Sequence, residues 1–286
     1  MSLSWLEGGL VIGTLLALVA VGLALTFSLL RFVNFAHGDL VAVGAYLTYT
    51  FSHFLKWHVL TATVASVILT AALGAAIERI AFRPLASSRL SMFVSSFGVS
   101  LVINATLALL FGSTTRPLVS DVSGIRLWSW NVLVPELAAM VIAPTVIILI
   151  AILSRHTRGG LAARGIAENR ALVDLVGISS NRVITTTFAL SAGMAAVAGT
   201  VFGTLYGISP QMGSRYSLWS FLVIILAGFG EIGGVAVASL CTGIGIALTM
   251  YYTGSYTAVH AVVFVVMGVA LLVRPRGLFG RTLRTV

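Results

Sequence analysis

Charge is scarce in this sequence. Only 9% of its 286 residues are charged, where a soluble domain of this size carries about 25%. Hydrophobic residues make up 58%, and the mean hydropathy is +1.06. A surface that faces water keeps its charge, so this chain expects lipid as its solvent. Cysteine is nearly absent as well. Cys241 stands alone, which excludes an intrachain disulfide and a cysteine-based zinc site. Lys56 is the single lysine and sits in Phe-Leu-Lys-Trp-His. The G-x-x-x-x-G-K-[ST] nucleotide motif is therefore missing, and the chain hydrolyses no ATP by that route. Neither H-E-x-x-H nor G-x-S-x-G occurs. There is no TVGYG filter and no intramembrane carboxylate cluster of the kind that relays protons. Any uphill transport must draw its energy from a partner.

What remains is a series of long apolar runs. Stretches free of Asp, Glu, Lys and Arg cover 8–30, 40–55, 57–77, 90–115, 137–154, 183–214, 216–230 and 232–273. About 20 residues of helix cross the hydrocarbon core. Most stretches fit one crossing. The last fits two, with a break near Thr253-Gly254-Ser255. The stretch 216–230 is short and ends among glycines, which suits either a short span or a re-entrant segment near 216–232. The expected fold is an all-α polytopic membrane protein with eight or nine transmembrane helices. Gly8 to Leu30 is too long for a signal-peptide core and lacks a preceding basic region, so it reads as a retained first span.

The net charge of +9 does not call for nucleic acid, because the arginines fill the short gaps between apolar runs. With the N-terminus outside, thirteen basic residues fall in inner segments and four in outer ones. That asymmetry predicts an outer N-terminus, a cytoplasmic C-terminus and an odd number of crossings. One inner segment, 154–182, is longer than a turn. Within it, 161–176 reads as an amphipathic helix with Leu161, Ile166, Leu172, Leu175 and Val176 on one side and Gly177 as its C-cap. A helix so placed looks built to be held by a partner. The first and sixth apolar runs are both rich in small residues and run in opposite directions, as an inverted repeat would.

Several blocks resemble the LivH-type permeases of branched-chain amino acid ABC importers. Arg31-Phe32-Val33-Asn34-Phe35-Ala36-His37-Gly38 is similar to that family's R-x-x-N-F-A-H-G. Ile77-Glu78-Arg79-Ile80-Ala81-Phe82-Arg83-Pro84-Leu85 is similar to its I-E-R-x-x-[YF]-R-P-[LV]. The segment 164–182, the run 192–199 and Arg274-Pro275-Arg276-Gly277-Leu278-Phe279-Gly280 follow in family order. One departure is Leu226-Ala227-Gly228-Phe229-Gly230-Glu231, where the family usually has L-G-G-x-G-S.

The resemblance implies one permease domain over 1–286, in the inner membrane. Its expected partners are a second related permease, two ATPase subunits that bind the ATP, and a periplasmic binding protein; no cofactor is expected. The residues expected to couple to the ATPase are Arg164, Gly165, Glu168, Asn169 and Gly177. Polar residues at membrane depth are candidates for the translocation path: Asn34, His37, Asn104, Tyr206, Gln211 and Glu231. For Asn34 and His37 a structural role, capping a helix or tying a turn, competes with that reading. For Asn104 a bond to a neighbouring helix competes, and for Tyr206 and Gln211 interface anchoring does. Urea or a short amide is an alternative cargo. An ion-coupled transporter using Glu231 or Asp39 is a more distant alternative.

Overall fold

A computed structural model describes residues 4–119, 124–127, 130–228, 232–274 and 277. The elements in chain order are α1 (Ser4–Leu30), α2 (Ala36–His53), α3 (Val59–Ile77), α4 (Arg89–Phe111), β1 (Gly124–Leu127), β2 (Trp130–Leu133), α5 (Val134–His156), α6 (Arg158–Leu175), α7 (Ser180–Tyr206), α8 (Met212–Ala227), α9 (Ile232–Thr253) and α10 (Tyr256–Val273). Apart from the antiparallel hairpin β1–β2, the regular structure of the described residues is helical. Seven helices are long and apolar enough to cross a membrane; α8 is apolar but only 16 residues long. The break expected at Thr253-Gly254-Ser255 separates α9 from α10.

The burial pattern is that of a membrane protein. α1 and α7 form the centre, whereas α3, α4, α5 and α10 turn apolar side chains outward, Leu60, Ile68, Leu101, Leu109, Val265 and Leu272 among them. In water such a surface would aggregate; in a bilayer it is solvated.

Small residues bring the central helices together. Gly9 lies against Ile244 and Ala247, and Gly13 against Leu240, so α1 and α9 pack antiparallel. α2 and α7 run parallel in backbone contact: Gly44 abuts Ala196, Gly199 abuts Val41, and Gly203 abuts Ala45. Spacing of small residues by four lets helix backbones approach where lipid removes the usual hydrophobic drive. The Thr48 and Thr200 hydroxyls add a cross-helix bond of 2.9 Å.

α2 and α8 are the irregular members. α1 ends at Leu30, near α6, where the Arg31 guanidinium donates to the Ala167 carbonyl at 2.7 Å. The chain then doubles back along α1 in non-helical form before α2 begins. His37 sits level with Val19 of α1 and Ser191 of α7. Each of those lies about 16 Å along its helix from the α6 end, at 1.5 Å per residue. α2 therefore starts at mid-depth. α8 does the same from the other side, because Gly213 packs on Gly38 and Asp39. The two connections, 31–35 and 207–211, are equally long. Each opens with a left-handed residue, Arg31 (φ 53°) and Gly207 (φ 79°). α1–α2 and α7–α8 thus repeat one pattern in opposite directions, the relation expected from the first and sixth runs. It continues into α8, which the sequence did not make apparent.

Candidate functional site

Three regions gather polar chemistry. The first is the mid-depth junction of the α2 and α8 N-termini. Asn34, His37 and Asp39 are all buried there, at 2%, 1% and 1% exposure. The Asn34 carbonyl accepts from the His37 amide at 3.3 Å, so the backbone of Asn34 ties the turn into α2. Its side-chain Oδ1 is buried without a hydrogen bond. His37 bridges two helices: Nε2 lies 3.1 Å from the Val19 carbonyl and Nδ1 lies 3.3 Å from Ser191 Oγ, which donates to the Gly22 carbonyl at 2.7 Å. The His37 ring thus joins α1 and α7, which is neither the helix cap nor the turn tie weighed for it. Asn104 reaches from α4 and donates through Nδ2 to Asp39 Oδ1 at 2.7 Å and to the Ser100 carbonyl at 3.0 Å. It bonds a neighbouring helix, as one of its two readings expected. Ser96 and Ser217 hold the Phe35 amide and carbonyl, at 3.2 Å and 3.1 Å.

Tyr206 and Gln211 do not join this group. Tyr206 ends α7 and is half-exposed, and exposed Gln211 precedes α8 without capping it through its side chain. Glu231 lies outside the described residues. Sequence reasoning set Asp39 aside as a candidate for ion coupling only and did not single out Ser191 or Gly213. An acid in the first turn of a helix amid apolar residues was the available signal for Asp39. The other two came together only by folding.

The second region is α6. It is not the single amphipathic helix expected over 161–176. Asn169 breaks it with extended dihedrals (φ −152°, ψ 103°), and its Oδ1 accepts from the amides of Ala171 and Leu172 at 3.0 and 3.3 Å. Asn169 is thus the N-cap of a second short helix. The kink also splits the apolar stripe. Ile166 is buried with Ala162 and Val173, joining a cluster with Phe32, Phe82, Ile184 and Phe188. Leu161, Leu172, Leu175 and Val176 are exposed, at 63%, 59%, 81% and 73%. Gly177, at φ 82°, ends the second helix as expected, and Asp174 Oδ1 accepts from the Ser180 amide at 3.1 Å. Arg158, Arg164, Gly165 and Glu168 line an open concavity of about 470 Å³ together with Val173 and Ile178.

Removal of the Asn169 cap tests the kink. Asn169→Ala is expected to destabilise the 170–175 turn by about 1 kcal/mol and to speed hydrogen–deuterium exchange there, while Asn169→Asp keeps protection. Equal exchange in all three would refute the cap.

The third region is a charged cluster tied to α7 through Thr185. At the end of α3 a π-turn, Glu78–Phe82, is followed by a single 3₁₀ turn, Arg83–Leu85. Glu78 is buried and takes both Nε and Nη2 of Arg83, at 3.1 and 2.7 Å, and the Thr185 hydroxyl at 2.8 Å. The cluster consists of the Glu78–Arg83 ion pair and Thr185. Arg79 is exposed and takes no part in it.

Residues 5–272 match the family described as the permease component of the branched-chain amino acid transport system. The high-affinity branched-chain amino acid transport system permease protein LivH of Escherichia coli K12 is 31% identical, over 96% of this chain and 94% of that protein. BraD of Pseudomonas aeruginosa, a permease protein of the same description, is 30% identical over 98% and 96%. The probable LivH of Methanocaldococcus jannaschii is 26% identical over 96% and 91%. Among solved structures, PsaBC from Streptococcus pneumoniae in complex with Fab shares the fold, with a TM-score of 0.53 over 95% of this chain and 92% of that one, at 11% identity.

Proposed function

Since the chain belongs to the family of branched-chain amino acid transport system permease components, we propose that it is the membrane-spanning subunit of an ABC importer. Its cargo is branched-chain or related amino acids, moved across the inner membrane by alternating access. The observation that carries the reading is the α6 face. Exposed Leu161 lines one concavity with Arg158, Arg164 and Glu168, and Leu172, Leu175 and Val176 are exposed further along the same segment, on a chain that lacks a Walker-type nucleotide motif. Exposed apolar surface rimmed by charge is what a protein partner covers. Here the partner is an ATPase subunit, and Glu168, Arg164, Gly165, Asn169 and Gly177 shape the surface it grips.

In this reading the chain is a transport subunit, not an enzyme, and one permease domain. A second related permease completes the pore, two ATPases power it and a periplasmic binding protein delivers the cargo. The seven long helices, with α2 and α8, make nine crossings, with the N-terminus outside and the α6 end in the cytoplasm. The basic residues are concentrated at that end, which supports this orientation. Asn34, His37 and Asn104 belong to the moving centre of the subunit, while Tyr206 and Gln211 meet cargo near the outer mouth.

Proteoliposomes holding the chain with its co-purified partners and binding protein test the proposal. Labelled leucine uptake that requires ATP is the expected result. ATP-dependent uptake of urea instead would keep the machine and replace the cargo. Uptake without any ATPase would overturn it. In the same vesicles, Glu168→Lys is expected to insert and assemble yet lose more than nine-tenths of ATP-driven uptake, because it inverts a charge on the gripping face. Uptake at the unmutated rate would remove Glu168 from the coupling surface.

A further inference from the structure

We infer that Asp39, held by Asn104 where the N-termini of α2 and α8 meet, receives the ammonium group of an amino-acid zwitterion during its passage. The inference rests on the amino-acid reading above and names the group that reads the cargo.

A zwitterion carries both charges into a low-dielectric interior, and each needs a partner there. Asp39 supplies one. It is 1% exposed, its Oδ1 accepts from Asn104 at 2.7 Å, and its Oδ2 has no hydrogen bond, although the Ser100 side chain stands beside the carboxylate. Among the described residues no ion pair involves it. A buried carboxylate without a counter-charge is unfavourable, so this one meets its cation at another point in the cycle. The other acids among the described residues are placed differently. Glu78 is saturated by Arg83 and Thr185, Glu168 and Asp174 lie on α6, and Glu7 and Glu136 lie in the first turns of α1 and α5, away from mid-depth.

The surroundings supply the second charge. α2 and α8 point their N-termini at the same place from opposite sides. Their first-turn amides and dipoles favour a carboxylate, which matches the other end of the zwitterion. Gly38 and Gly213 allow the approach: a Cβ on Gly213 would fall 2.5 Å from Asp39 Oδ1, and one on Gly38 would meet the Gly213 carbonyl and Ser217. The junction is closed in this structure by Gly213 of α8, which packs on Asp39, and withdrawal of α8 from α2 opens an approach to the carboxylate. Asn104 keeps the carboxylate aimed while this happens, since its Nδ2 is also anchored to the Ser100 carbonyl.

The test uses the whole importer in proteoliposomes. Asp39→Asn keeps the shape and removes the charge. It is expected to lower leucine uptake at limiting leucine at least tenfold, with ATPase stimulation by the binding protein retained. Leucine uptake equal to the unmutated importer would overturn the inference and leave the amino-acid reading intact. Absence of leucine uptake from the unmutated importer would overturn both. A second measurement needs no variant. Dicyclohexylcarbodiimide is added to the unmutated importer during ATP turnover, and modification of Asp39 is read by peptide mass spectrometry. Labelling that rises with turnover and falls when leucine is present is the expected result. An Asp39 that stays unlabelled through turnover, or is labelled equally with and without leucine, serves only to hold α4 against α2, and the inference fails.

Discussion

Gly199→Ala unfolds the bundle far more readily than its single added methyl suggests. A Cβ at 199 is driven into the backbone carbonyl of Val41, and α2 cannot retreat without losing the close approaches of Gly44 to Ala196 and of Ala45 to Gly203. Overpacking of this kind costs about 1–3 kcal/mol when side chains can yield, and here the obstacle is backbone, so the upper end is expected. The matched control is Gly193→Ala on the same helix. Its Cβ meets Val67 at 3.5 Å, an ordinary contact, and the helix prefers alanine to glycine. Thermal unfolding of the two purified variants in detergent should separate them clearly, with Gly193→Ala at or slightly above the parent. If both variants melt with the parent, α2 and α7 are not in backbone contact.

Glu78→Ala is the second large loss. It removes an acceptor that serves Arg83 twice and Thr185 once, inside the protein. Breaking a buried pair from one side costs about 3–5 kcal/mol, because the remaining charge stays behind. The Arg83 side chain is one-third exposed and recovers some hydration, so a loss of about 3 kcal/mol is expected. The double variant Glu78→Met with Arg83→Met should regain much of it, since neither charge is then stranded. A double variant no more stable than Glu78→Ala would show that the pair holds the π-turn for a reason other than charge compensation. Phe82 of the π-turn belongs to the apolar cluster that holds Ile166 and Val173 of α6, and its ring lies 5.3 Å from Phe32 and 5.8 Å from Phe188. Glu78→Ala is therefore also expected to weaken whatever docks on α6.

How much of this was legible beforehand varies with the range of the interaction. The apolar runs located the helices because lipid imposes a composition on every exposed position, and the break at Thr253-Gly254-Ser255 was readable as a lapse in that composition. Gly177 was readable as a helix end because a left-handed residue there favours glycine. Asn169 was not. In sequence it is a polar residue on a charged helix face, and only the backbone dihedrals turn it into a cap. The stripe assigned to 161–176 assumed one unbroken period; the kink separates buried Ile166 from Leu172, Leu175 and Val176, which are exposed.

Composition and local order thus determined by themselves that the chain lives in lipid and where its long apolar helices run. Those properties depend on the solvent each residue prefers and on dihedrals set by near neighbours. The tertiary structure alone decided that α2 and α8 begin at mid-depth with their N-termini together, that Asn104 holds Asp39, and that Ser191 meets His37. These pairs are separated by 65 and 154 residues. Their meeting depends on where two non-helical connections turn the chain back into the bundle, and on glycines small enough to let the backbones close.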